Sequence, residues 1–65
     1  MQMMGAMTVL NKERDFLGLS LKELLVFIQR NPYAFPRKTI EAFTVYVKDL
    51  TANDISLDEH LKELS

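Results

Sequence analysis

The sequence contains no cysteine and only one histidine, His60, and these shortages exclude several classes of small protein. Without cysteine the chain forms neither disulfides nor thiolate metal sites, and a single histidine cannot make a multi-histidine site. Gly5 and Gly18 are the only glycines and lie far apart, which excludes a glycine-rich phosphate-binding loop. We therefore expect neither a metal nor a cofactor, and no small-molecule substrate.

Long hydrophobic runs and a large net charge are also missing. No apolar run approaches the roughly 20 residues that cross a bilayer, and the apolar start has no basic segment of the kind that opens a secretory signal. The net charge of −1 gives no overall reason to bind nucleic acid or an anionic membrane. We expect a protein of the cytoplasm that does not bind membranes, in keeping with the absence of cysteine.

The sequence does have a high hydrophobic content for a very short chain. Hydrophobic residues make up 48% of the 65 residues, which is enough for a single folded domain over residues 1–65. We expect residues 1–5 to be flexible. A chain this short is only marginally stable and usually gains support from disulfides, a metal or a partner. Since the first two are excluded, we expect a homo-oligomer, most simply a dimer, or docking on a larger protein.

The first half of the chain predicts two helices that meet at Gly18. Helical spacing of apolar residues predicts a helix over residues 8–17, with a start near Ala6 as the alternative, and Gly18 suits the left-handed position that closes it. The apolar residues on one side of this helix are Val9, Leu10, Phe16 and Leu17. Ser20 and Glu23 have the spacing of a capping box, which predicts a second helix over residues 21–30. That helix is apolar around most of its circumference, so we expect it to lie between the core and a partner.

The second half predicts two further helices, with one alternative. A third helix should open at Pro36 or Arg37, because proline suits the first turn. The segment 42–48 is rich in β-branched and aromatic residues that alternate, and taken alone it predicts a strand. Ser56 begins a second capping box and a fourth helix. The predicted fold is therefore an all-α bundle of three to four short helices, with α+β, residues 42–48 forming a strand, as the alternative.

No group of residues predicts a catalytic site. We expect Ser20 and Ser56 to act as helix caps, and His60 to be exposed on a terminal helix, where no cleft would hold an acid–base pair. We therefore interpret the chain not as an enzyme but as a non-enzymatic protein-interaction or regulatory module that self-associates. The side chains that we expect to contact the partner are Val26, Phe27, Tyr33 and Phe35.

The charges are unevenly distributed, and this suggests a second function. Residues 20–38 carry four basic side chains and one acidic one, whereas residues 39–65 carry two basic and six acidic ones. Arg30, Arg37 and Lys38 flank two aromatic residues, a pattern that fits phosphate contacts with base stacking. In the other interpretation the aromatics pack on the core and the cations are solvated.

Two segments resemble repressor-type helix-turn-helix domains. Residues 17–24 resemble the start of the second helix of such domains, and residues 35–40 resemble the start of the recognition helix. The resemblance implies that Arg37, Lys38 and Thr39 contact DNA in the major groove. The chain departs from the pattern because its second helix continues and a proline-rich connection follows, where the family has a short turn. A small DNA-binding regulator that uses the basic region 30–38 is thus the alternative function.

Overall fold

The computed structural model describes residues 3–64 and the side chains of residues 5–64. The described chain folds into four α-helices: α1 (Met3–Leu17), α2 (Leu21–Arg30), α3 (Arg37–Ala52) and α4 (Leu57–Glu63). A 3-10 turn, Pro32–Ala34, connects α2 to α3. None of these helices has the combination of length and hydrophobicity that crossing a bilayer requires.

The all-α bundle predicted from the sequence is confirmed, and the alternative of a strand at residues 42–48 is wrong. Those residues lie in the middle of α3, and the described residues contain no strand. Helical spacing explains the outcome, because Ala42 is buried while Phe43 and Tyr46 pack against the same core. The alternating pattern came from residues that spread over the helix surface, of which Val45 is 38% exposed.

The predicted helix bounds agree closely except at the start of the chain. The predicted second helix is confirmed over Leu21–Arg30, whereas α1 begins at Met3, earlier than either predicted start, residue 8 or Ala6. Residues 3–5 are helical, and residues 1 and 2, for which we expect flexibility, lie outside the described residues.

A small core lies where α1, α2 and α3 meet. Its fully buried members are Leu10, Leu24, Leu25 and Ile28, joined by Ala42 and Thr39. The α1 and α3 helices run antiparallel, since Gly5 lines one groove with Val45 and Phe16 lines another with Pro36. The α2 helix supplies three of the four fully buried aliphatic side chains. This arrangement leaves the C-terminal ends of α1 and α2 and the N-terminal end of α3 together at one end of the bundle.

The same joint is built twice in the chain. At the end of α1, the amide of Leu19 donates to the carbonyl of Arg14 (2.9 Å), and Gly18 has a positive φ of 70°. At the end of α3, the amide of Ile55 donates to the carbonyl of Leu50 (2.9 Å), with Asp54 at φ 61°. Both are Schellman closures.

A capping box follows each closure directly. Glu23 N donates to Ser20 Oγ and Glu59 N donates to Ser56 Oγ, both at 3.1 Å. The reverse bonds, from the serine amide to the glutamate carboxylate, are 2.9 Å in the first box and 3.4 Å in the second. Both serines predicted to be caps are therefore confirmed in that role.

Candidate protein-interaction surface

Most of the exposed large hydrophobic side chains lie at the end of the bundle where α1 and α2 finish and α3 begins. A groove of about 360 Å³ opens there between α1, α2 and the 3-10 turn. Its lining consists of Glu13, Leu17, Leu19, Phe27, Asn31, Ala34 and Phe35. Five of these seven residues are apolar, so the groove presents a mainly hydrophobic floor to solvent.

A second groove of about 610 Å³ adjoins the first, between α1 and the start of α3. Phe16 and Pro36 line it together with Lys12, Lys38 and Thr39. Glu13 lines both grooves and marks the boundary between them. We call the two grooves, together with Phe16, Leu17, Phe27 and Phe35 of their lining and the neighbouring exposed Tyr33, the aromatic surface.

A hydrogen bond holds the boundary between the grooves in place. The buried hydroxyl of Thr39 donates to Oε1 of Glu13 at 3.2 Å, which ties α3 to α1 across 26 residues of sequence. Because Thr39 is 1% exposed, this bond forms at the edge of the core. The carboxylate of Glu13 is therefore oriented by the fold while remaining partly accessible to a partner.

The four side chains predicted to contact a partner have different positions. Phe27 and Phe35 line the first groove. The side chain of Phe27 is 46% exposed, and that of Phe35 is half-buried. Tyr33 is fully exposed on the 3-10 turn next to Ala34, which lines the same groove. Val26 is half-buried and is not part of the lining. The structure thus brings three of the four predicted residues together.

Phe16 and Leu17 belong to the aromatic surface, although they share the apolar side of α1 with two residues that reach the core, Val9 and Leu10. Phe16 is 84% exposed and Leu17 is 43% exposed. Each lies two helical turns beyond its core-side counterpart, Val9 and Leu10 respectively. The last turn of α1 extends past the packed part of the bundle, and periodicity alone does not reveal where a neighbour ends.

Cations surround the aromatic surface. The segments that build it, residues 12–19 and 27–39, carry five basic side chains and two carboxylates. Arg30, Arg37 and Lys38, the predicted nucleic-acid contacts, are all exposed there. Two of them, Arg37 and Lys38, occupy the first turn of α3, which has no acidic residue. The helix dipole favours acidic rather than basic side chains in that turn.

Thr39 does not fit the helix-turn-helix resemblance. Its burial and its bond to Glu13 remove it from solvent, so the implied DNA contact by this residue is wrong. The connection between α2 and α3 spans residues 31–36 and includes a 3-10 turn, as the proline-rich sequence predicts. This is longer than the tight turn of the family.

His60 lines neither groove, and the prediction that it is exposed is wrong, because its side chain is half-buried. Its Nε2 lies 2.5 Å from the hydroxyl of Tyr46, and the two rings are tilted by 58° with their centroids 5.4 Å apart. Burial raises the pKa of Tyr46 above its usual value. This contact fastens α4 to α3, and the sequence carried no signal for it, because it joins side chains 14 residues apart on different helices.

The described residues contain no group of three histidine, aspartate or glutamate side chains that could hold a metal ion. Comparison of the chain with protein families, with curated proteins and with solved structures found no match.

Proposed function

We propose that this chain is a non-enzymatic protein-interaction module that binds its partner through the aromatic surface and self-associates through it when no other partner is present. The observation that supports the proposal is the exposure of Phe16 (84%) and Phe27 (46%) on adjoining grooves, with Tyr33 (100%) on the 3-10 turn next to Ala34, which lines the first groove. Single exposed hydrophobics are ordinary, but a contiguous group is typical of a binding site. Aromatic side chains are also the residues that contribute most to binding at interfaces.

The small core supports the same proposal. Only five hydrophobic side chains among the described residues are buried, and four of them are aliphatic side chains larger than alanine. A stable interface buries about 800 Å² on each partner, roughly a sixth of the 4771 Å² that this chain exposes. Covering the aromatic surface would therefore add substantially to the apolar area removed from water.

Polar side chains that could support catalysis have structural explanations. Ser20 and Ser56 accept the cap hydrogen bonds, and His60 contacts Tyr46. We therefore propose no enzymatic activity. We also propose a cytoplasmic location, which the absence of cysteine supports.

DNA binding is the weaker candidate. The cations Arg30, Arg37 and Lys38 are few for tight phosphate binding, because each phosphate contact adds only one increment to affinity. Apolar lining residues such as Leu17 and Ala34 would not contribute to contacts with the phosphate backbone of DNA.

The test of the proposed function is the mass in solution across a concentration series, measured by sedimentation equilibrium. We expect the wild type to rise above the monomer mass of 7.5 kDa as concentration increases. Phe16→Asp and Phe27→Asp should remain near the monomer mass, because a buried carboxylate at an apolar interface is costly.

Val45→Asp is the matched control. Val45 is 38% exposed but lines a different groove, between α1 and the middle of α3. We expect this variant to associate like the wild type, with helix content checked by circular dichroism in all variants. Equal association of the wild type and both phenylalanine variants would contradict self-association through the aromatic surface.

A further inference from the structure

The charges around the aromatic surface indicate what kind of partner it prefers. No acidic residue lies between Glu23 and Glu41 in the sequence, and this interval supplies Phe27, Tyr33 and Phe35. On the α1 side Glu13 lines both grooves, but its carboxylate accepts the hydrogen bond from Thr39, and the segments that build the surface carry five basic side chains against two carboxylates. Lys12 and Lys38 line the second groove directly. A ligand for this surface therefore meets apolar contacts flanked by positive charge.

The first turn of α3 supports this view independently of the grooves. The first turns of α2 and α4 carry acidic residues, as the helix dipole favours: Glu23 in α2, and Asp58 and Glu59 in α4. The first turn of α3 carries Arg37 and Lys38 instead, and both are exposed beside Pro36, which lines the second groove. The helix dipole therefore does not explain the placement of these two cations, and their exposure leaves them available to an anionic group of a partner.

We propose that the preferred partner is a segment of another protein in which apolar side chains alternate with carboxylates, so that the apolar side chains enter the grooves and the carboxylates meet Lys12, Arg37 and Lys38. This inference rests on the proposed function, because it names the partner of the same surface. Complementary charge at the rim speeds association and selects among partners.

A second copy of the chain is a poorer fit. In a two-fold arrangement each surface meets its own copy, so the same excess of basic side chains lies on both sides. Salt screens that repulsion and should strengthen self-association. Binding of an acidic segment has the opposite dependence, because salt screens an attraction.

The experiment is a selection from a random peptide library against the wild type, with Phe16→Asp/Phe27→Asp as the counter-selected variant. We expect the enriched peptides to combine leucine, isoleucine or aromatic residues with aspartate and glutamate. Binding of a labelled enriched peptide should weaken as salt rises and should be about 30-fold weaker or more for Phe27→Ala, the effect of a hot-spot residue. A peptide with glutamine in place of its acidic residues is the ligand control.

Arg37→Glu/Lys38→Glu separates binding from folding. Acidic residues suit the first turn of a helix, so we expect this variant to unfold at an equal or higher temperature than the wild type. Its affinity for the acidic peptide should nevertheless fall about tenfold, because two attractions become repulsions. Loss of binding together with loss of stability would point to a structural role for these residues and would overturn the proposal.

The remaining outcomes distinguish the inference from the proposed function. Enrichment of neutral or basic peptides that compete with self-association would overturn the acidic partner and leave the interaction module standing. Self-association that weakens with salt would mean that the surface binds the acidic residues 39–65 of a second copy. Tighter binding of duplex DNA than of any peptide would mean that the surface binds nucleic acid. If no peptide is enriched over the counter-selected variant, and the mass series also shows no self-association, the proposed function itself fails.

Discussion

The two joints of this chain use the same hydrogen bonds but lead into helices with different surroundings. The joint at residues 14–23 leads into α2, which places three residues in the core, whereas the joint at residues 50–59 leads into α4, which has no buried residue. Local sequence thus determines where a helix begins, while the apolar residues that follow determine whether it becomes part of the core. This contrast can be tested by substituting equivalent residues in the two joints and in the two helices that follow them.

The largest difference is expected between the apolar residues of the two helices. Leu24 in α2 is fully buried, so Leu24→Ala should reduce the free energy of unfolding by about 2–5 kcal/mol, which approaches the total stability of a chain this size. Leu61 in α4 is only half-buried, and we expect Leu61→Ala to cost about 1 kcal/mol. Urea unfolding followed by circular dichroism, at one protein concentration, measures both.

A similar loss in the two variants would mean that α4 is as much a part of the cooperative core as α2. Phe16→Ala is the exposed control, with a change expected within about 0.5 kcal/mol.

The next largest difference lies at the positions of positive φ. Gly18→Ala should destabilise the protein by about 1–2 kcal/mol, because a side chain is strained in the left-handed region even though the space around Gly18 is open. Asp54→Gly should have the opposite sign and a smaller size, since it removes that strain but gives the unfolded chain more freedom. Thermal unfolding of both variants tests the two signs, and a stabilising Gly18→Ala would contradict the left-handed closure.

Much of this fold follows from the sequence, because its signals are local. The two serine–glutamate pairs, Gly18 and Pro36 mark helix ends through bonds or conformations within a few residues. The two capping boxes and the closure at Gly18 are confirmed, and α3 begins at Arg37 with Pro36 as its N-cap rather than within its first turn. The exposed positions of Phe16 and the buried position of Thr39 were not predicted, because they depend on how far neighbouring helices reach. The candidate surface was accordingly predicted only in part: its aromatic residues on α2 and the 3-10 turn were identified, and its α1 portion was missed.

Loss of the first capping box should destabilise the whole fold, whereas loss of the second should mainly destabilise α4. Ser20→Ala should lower the free energy of global unfolding by about 1 kcal/mol, because α2 cannot loosen without opening the core. Ser56→Ala removes the same bond from α4, but we expect the effect to appear mainly as faster amide exchange within α4. Hydrogen exchange with residue resolution distinguishes the two, and uniform loss of protection in Ser56→Ala would show that α4 and the core unfold together.

The smallest effect is expected at the contact that fastens α4 to α3. Tyr46→Phe removes the hydroxyl that contacts His60 and should lower the free energy of unfolding by about 0.5–1.5 kcal/mol at neutral pH. Burial raises the pKa of Tyr46, so the folded state holds the phenol neutral more strongly than the unfolded state does. The stability from this source is present below the usual pKa of 10.0 and is lost as pH rises through the raised value.

Tyr46→Phe should therefore flatten the fall in stability above about pH 10. A double-mutant cycle with His60→Ala isolates the contact from the burial of the ring. A coupling energy near zero, with an unchanged dependence of stability on pH above about 10, would contradict a stabilising role for this contact. In that case the leucine side chains of α4 alone would hold the helix, and the second joint would need no further contact to place it.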